Sequence, residues 1–419
     1  MSDLSARLTS LAGLVIIVGL AVAMSERRRA VSLRLVLTGL GLQLVLALVV
    51  FLTGVGDVLF EAADRAFAFL VEASNAGARF LFGGLVTDTA ERGGETVRLG
   101  LGATVAFQVL PLVIFFSALA GVCYHLGITQ VVVRALARVM QKAMRISGAE
   151  SLGCALFVFF GIEATTAIAE YIRRMTRSEV FTLMTAFMAT VAGTVMGAYV
   201  SFGAAPGHLL TASLMSAPAA IVISKIMIPE TEQPLTRGRV RFAPPKESVN
   251  VVDAAAQGAT QGLRLAAAIG ATLIAFVGLI HLANALLGAV SGLWMDEPLT
   301  LQRVLGWLFS PFALLMGVPW EDAQAVGGLL GTKTILNEFL AYQQLQPLAE
   351  GGVIGPRSVV IATYALCGFA NFGSVAILVG GLGMLDPDRK WLYARMGLWA
   401  LVAGTLAAFM TACYAGLLA

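Results

Sequence analysis

Lys333, Asn337 and Glu338 fall within six positions of one another in the stretch Gly331-Thr-Lys-Thr-Ile-Leu-Asn-Glu-Phe-Leu-Ala-Tyr342. Their surroundings are among the most apolar a protein can have. An ionisable group at membrane depth costs on the order of a few kcal/mol or more, so such groups mark substrate or ion paths. A second polar set, Asn371 and Ser374, lies in Cys367-Gly-Phe-Ala-Asn-Phe-Gly-Ser374, and Glu163 and Glu170 lie in the Gly-broken segment Ser147–Met175. Carboxylates and amides of this kind can hold a polar solute or carry a cation. Glu338 is the first candidate. Bland alternatives stand beside it: an ion pair between Glu338 and Lys333, and interhelical hydrogen bonding by Asn371 and Ser374. The three histidines are scattered and the four cysteines sit in apolar segments without metal spacing, so neither a metal site nor an enzyme is expected.

The elements that must position these groups are membrane elements. The 419 residues are 58% hydrophobic and 13% charged, with mean hydropathy +0.84, where soluble domains carry about 25% charge. The expected fold is an all-α polytopic membrane protein with about eight transmembrane helices, two re-entrant hairpins and interfacial helices. Spans are read at Leu11–Met24, Leu35–Leu52, Leu101–Leu126, Phe181–Phe202, Leu209–Ile228, Ala259–Val290, Val359–Leu382 and Trp391–Leu418. Asp57–Glu72, Val131–Arg145 (with Arg134, Arg138, Lys142 and Arg145 on one face) and Leu299–Met316 read as interfacial. The hairpins are Ser147–Met175 and Pro319–Leu345.

With the Arg27–Arg34 loop placed in the cytoplasm, most of the 28 basic residues fall on that side, provided both hairpins return to the face they enter from. A cysteine at Val240 is therefore expected to label from inside and one at Asp296 from outside. Labelling of both from one face would break the hairpin topology.

The order surface helix, hairpin, span, span occurs at Val131–Ile228 and again at Leu299–Leu418, fed from opposite sides. An inverted repeat of this kind belongs to secondary transporters, with the site near the midplane where broken elements meet. Four regions follow: residues 1–128 and 229–298 as scaffold, 129–228 and 299–419 as the two transport repeats. Each repeat has a span interrupted by small or polar residues, Ala189-Thr-Val-Ala-Gly-Thr194 in the first and Cys367–Ser374 in the second.

At these residues the chain resembles the concentrative nucleoside transporter family. The resemblance rests on Gly331–Tyr342, Cys367-Gly-Phe-Ala-Asn-Phe-Gly-Ser-Val-Ala-Ile-Leu378, Phe80-Leu-Phe-Gly-Gly-Leu-Val86, Val109-Leu-Pro-Leu-Val-Ile-Phe-Phe-Ser-Ala118, Gly317-Val-Pro-Trp320 and Ala394-Arg-Met-Gly397. It implies a homotrimer in a bacterial inner membrane that imports nucleosides by alternating access, driven by sodium or protons, with no cofactor and no nucleic-acid partner. It implies that Glu338, Asn371 and Ser374 hold the ribose hydroxyls, with Phe369, Val195, Asn337 and Glu163 completing the substrate site. It implies a coupling-ion site at Glu163, Thr190 and Val191.

The first hairpin departs from the family pattern. Its tip, Gly161-Ile-Glu-Ala-Thr-Thr166, is one residue shorter than the family's Gly-Gln-Thr-Glu-Ala-Pro-like tip and lacks the base-reading Gln and Thr. Phe157 stands where sodium-coupled members often carry an asparagine ligand, and a phenyl ring offers no oxygen to a hard cation. Ribose recognition is thus expected to be kept, base recognition altered, and protons preferred to sodium. The rivals are an uncoupled facilitator or channel and a membrane sensor on the same scaffold.

Overall fold

The computed structural model describes residues 3–87, 89–92, 95–98, 105–236 and 248–419. The basic loop positions Arg237, Arg239, Arg241 and Lys246 lie outside the described residues. The chain opens with α1 (Asp3–Ala23), α2 (Leu33–Leu52), the amphipathic α3 (Gly54–Phe82) and the single turn α4 (Gly84–Thr87). A short antiparallel ribbon of β1 (Thr89–Arg92) and β2 (Glu95–Arg98) interrupts a chain that otherwise has the expected all-α class. A π-turn at Val105–Val109 leads into α5 (Leu110–His125). Gly127, in the left-handed region at φ 81°, turns the chain into α6 (Ile128–Met144), whose Val133, Ala137, Met140 and Met144 are buried while Arg134 and Arg138 are exposed.

The first hairpin follows. α7 (Gly148–Phe157) begins in a capping box of Ser147 and Glu150. Its return arm is less regular than its first arm: a 3-10 turn, Ile162–Ile168, and one α-turn, α8 (Ala169–Ile172). The arms pack closely, for a Cβ at Gly153 would stand 3.0 Å from Ile168 Cδ1. Next come α9 (Arg177–Ala189), α10 (Gly193–Ser201) and α11 (Pro206–Met227), the first two separated by the expected break at Thr190–Ala192. α12 (Val251–Ser291) is 41 residues long.

The second half repeats the order. α13 (Leu301–Leu315) meets α14 (Trp320–Ile335) at a bend of 117°. α15 (Glu338–Glu350) folds back along α14, and Thr332 Oγ1 donates to Gln344 Oε1 across the arms at 3.3 Å. α16 (Pro356–Leu366) and α17 (Phe372–Leu385) occupy one expected span and are parted at Cys367–Asn371, and α18 (Lys390–Leu418) ends the chain. Seven described segments are long and apolar enough to cross a membrane.

Burial sorts the helices. The span windows of α9–α10 and α11 are 89% buried, while that of α12 is 17% buried. The first group forms the core around the site, and α12 offers an apolar surface to its surroundings. One buried charge cluster ties the first hairpin to this core. Lys225 Nζ of α11 lies 2.6 Å from Glu150 Oε1 and donates to Ser178 Oγ at 2.9 Å. Breaking such a pair strands the remaining charge, which makes it a fixed joint.

Candidate functional site

Glu338 is the first residue of α15. Asn337 is its N-cap, with Oδ1 accepting from Leu340 N–H at 2.9 Å. Leu336 between the two arms has φ −106° and ψ −89°, a non-helical conformation, so α14 stops and α15 starts afresh. The carboxylate is buried. Its Oε1 accepts from the Tyr199 hydroxyl at 2.8 Å and its Oε2 from Asn371 Nδ2 at 3.0 Å. A carboxylate has about four lone-pair sites, so acceptor capacity remains for a ligand's hydroxyl groups.

Asn371 reaches Glu338 because it caps another helix. Its Oδ1 accepts from Ser374 N–H at 2.8 Å and opens α17. Two helix N-termini therefore start at the site, each with N–H groups lacking intrahelical partners. Ser374 lies in the first turn of α17, also buried.

The two span breaks touch. Phe369 N–H donates to Thr190 O at 3.3 Å. A Cβ on Gly368 would come within 2.9 Å of the carbonyl oxygens of Ala189 and Met188, so only glycine lets the strands approach this closely. Gly193 N–H donates to Phe159 O at 3.0 Å, which draws the first hairpin to the same junction. The rings of Phe157, Phe187 and Phe369 form a row, each 5.6 Å from the next. Phe157 is 1% exposed, so its ring fills the space beside the first break. Thr190 Oγ1 donates within its own helix to Ala186 O at 2.8 Å. The Val191 carbonyl faces Ser213 Oγ at 3.4 Å, as does the Val158 carbonyl.

Lys333 does not pair with Glu338. Its Nζ is buried and donates to Ala365 O at 2.8 Å, at the end of α16. The ion-pair alternative fails because the side chain crosses to another element and satisfies the open end of the broken span.

Glu163 lies in the first turn of the 3-10 segment of the first hairpin. It lines a cavity of about 590 Å³ with Tyr124, Thr194, Gln257 and Gln261. Glu338, Asn371 and Ser374 are not among the residues lining that cavity. The two acids singled out in the sequence therefore occupy different recesses. Val195 is buried one turn before Tyr199 on α10, so its side chain and the phenol share a helix face.

Tyr199 was not singled out from sequence. Its ring stacks on Tyr342 at 4.7 Å, and Tyr342 OH donates to Thr363 O at 2.8 Å. The available signal was a phenol on a short helix following a break, where a hydroxyl needs a buried partner.

Comparison with known proteins shows the family and the fold. The family profile described as Na+ dependent nucleoside transporter C-terminus matches residues 208–416, and the N-terminal profile of the same name matches residues 12–85. A nucleoside recognition gate profile matches residues 106–206. An uncharacterized transporter of Haemophilus influenzae is 40% identical over 98% of this chain and 97% of its own. The Bacillus subtilis uncharacterized transporter YutK is 39% identical over 98% and 99%. Mouse sodium/nucleoside cotransporter 1 is 38% identical over 98% of this chain and 64% of its own. The structure of CNTnw in an inward-facing, substrate-bound state superposes with a TM-score of 0.89 at 39% identity, covering 99% of this chain and 98% of CNTnw. These relatives are transporters and not enzymes, and the described helices are those of a multi-pass membrane protein. The chain belongs to the Na+ dependent nucleoside transporter family.

Proposed function

We propose that this chain imports nucleosides by alternating access, coupled to the inward movement of a cation. The observation that carries the reading is Glu338, buried between Tyr199 and Asn371 where two broken spans meet, with lone pairs left for a ligand. A vicinal diol donating two charge-assisted hydrogen bonds suits such a carboxylate. In this reading Glu338, Asn371 and Ser374 take the ribose, Phe369 and Val195 flank the base, and Asn337 fixes the helix start that presents Glu338. Glu163 lines the separate cavity on the first hairpin, and its assignment to the base side rests on the family resemblance. Solved CNTnw structures in inward-facing and outward-facing states, the latter a variant at TM-score 0.91, support a moving site.

Residues 129–228 and 299–419 form the transport repeats, and residues 1–128 and 229–298 form the scaffold. The exposed apolar face of α12, including Ile274, Leu282 and Leu286, suits lipid or further copies of the chain, and we take the assembly to be a trimer. The bacterial relatives support a bacterial inner membrane.

For the coupling ion we favour the proton, carried by Glu163. Phe157 gives no oxygen, the Thr190 hydroxyl is engaged, and Glu163 has no ion-pair partner among the described residues. Uptake is then expected to rise as outside pH falls from about 7.5 to about 5.5, and replacing sodium with choline should change little. Glu163→Gln should flatten that profile and leave only downhill exchange. The measurement is uptake into proteoliposomes under separate pH and sodium gradients.

Sodium is the second reading, favoured by the family's description and by the Val158 and Val191 carbonyls converging on Ser213 Oγ. Strict sodium dependence at constant pH would select it. Accumulation against a gradient in the same vesicles separates either symport from an uncoupled facilitator.

A further inference from the structure

Hairpin 1 and α17 end side by side, and their ends are tied crosswise. Arg389, in the turn after α17, directs Nη1 to the carbonyls of Ile172 (3.2 Å), Arg173 (3.4 Å) and Met175 (3.0 Å), where the hairpin finishes. Arg173 returns the contact, with Nε donating to Leu385 O at 3.1 Å, the last residue of α17. The final carbonyls of a helix lack intrahelical partners. The Arg389 guanidinium stays charged at every relevant pH, and its Nη1 is shared among these carbonyls. Tyr393 OH donates to Asp386 Oδ2 at 2.8 Å, and that oxygen stands 4.0 Å from Arg389 Nε, which aims the arginine.

The same seam is closed further along. A Cβ on Gly381 would lie 2.6 Å from Ile162 Cγ1, so the hairpin tip rests against the backbone of α17. Hairpin 1 carries Glu163, while Asn371 and Ser374 open α17. We propose that Arg173 and Arg389 are positioning residues that clamp hairpin 1 to α17, so that both travel as one body and the parts of the site they carry keep their register. The proposal rests on the reading of Glu163, Asn371 and Ser374 as substrate residues.

The test uses the full-length protein in detergent and in proteoliposomes, with uridine and adenosine as probes. Arg389→Gln and Arg173→Gln are each expected to weaken binding about tenfold, the loss of a site left loose rather than dismantled. The double variant should be no worse than the poorer single one, because the two arginines act as a unit. Both replacements keep a polar side chain at a partly exposed position, and Arg173→Gln serves if Arg389→Gln does not fold. A disulfide between Ile162→Cys and Gly381→Cys ties the same two elements without touching the arginines. It should restore the affinity of Arg389→Gln, should lose that effect on reduction, and, with both arginines intact, should give the same uptake in its oxidised and reduced forms.

Wild-type affinity in either single variant, additive losses, failure of the disulfide to restore binding, or arrest of uptake by the disulfide would each overturn the clamp. If neither probe binds the unaltered protein, the nucleoside reading falls. The clamp is then judged by the rate of disulfide formation, which should drop in Arg389→Gln and overturns it if unchanged.

Discussion

Replacing Glu338 by glutamine is expected to cut nucleoside uptake about 30- to 150-fold, the loss of a charged, buried hydrogen-bonding centre worth roughly 2–3 kcal/mol. The argument is one of donors and acceptors. Two donors already point at this side chain, Tyr199 OH at 2.8 Å and Asn371 Nδ2 at 3.0 Å. Glutamine offers one oxygen and one NH₂, so it keeps Asn371 on its oxygen only by turning the NH₂ to the Tyr199 oxygen, and one neutral acceptor replaces two charged ones. Accepting capacity for a substrate's hydroxyls falls at the same time. The side-chain volume is unchanged and Asn337 still caps α15, so the yield of folded protein should stay near normal. Binding by calorimetry and uptake by proteoliposomes check this together. Wild-type affinity in Glu338→Gln would remove the ribose from the assignment.

The second large effect concerns the substrate. The 2′- and 3′-deoxy forms of a transported nucleoside should compete about a hundredfold more weakly than the parent. A site built to hydrogen-bond a hydroxyl rejects the analogue that lacks it far more strongly than a pocket rejects a missing methylene. Glu338, Asn371 and Ser374 would be left with polar atoms unpaired in a buried setting. Equal competition by a dideoxynucleoside would direct the search to a solute without a ribose.

The sequence made some of this legible and hid the rest. Glu338 and Asn371 could be found because charge and amide stand out in an apolar chain, and because Gly and Asn mark breaks that a continuous helix would not carry. The apolar runs located the spans for the same reason: their length is set by the bilayer. Tyr199 was hidden because a tyrosine in a membrane helix is ordinary until its partner is known, and that partner lies 139 positions away. Lys333 misled in the opposite direction. Its five-residue spacing from Glu338 invited a local ion pair, but the fold sends it to Ala365 O, a contact no local pattern encodes. The ribbon at Thr89–Arg92 and Glu95–Arg98 was hidden because its two four-residue strands carry no alternation of apolar and polar residues.

Asn371 has a consequence for how this protein can change over generations. One end of its amide starts a helix and the other end holds the carboxylate at the centre of the site. Aspartate would keep the cap but set a second negative oxygen against Glu338, and serine would keep the cap but offer a shorter reach. Few single substitutions at this position can serve both ends, so the carboxylate half of the pocket is poor ground for drift. At the tip of the first hairpin no side chain both caps a helix and holds Glu338. Ile162 and Glu163 sit in an irregular turn with no side-chain cap to preserve. Under the proposed assignment, new preferences for the base arise there while the sugar end stays fixed, so that a lineage exchanges one nucleobase for another and keeps its hold on the ribose.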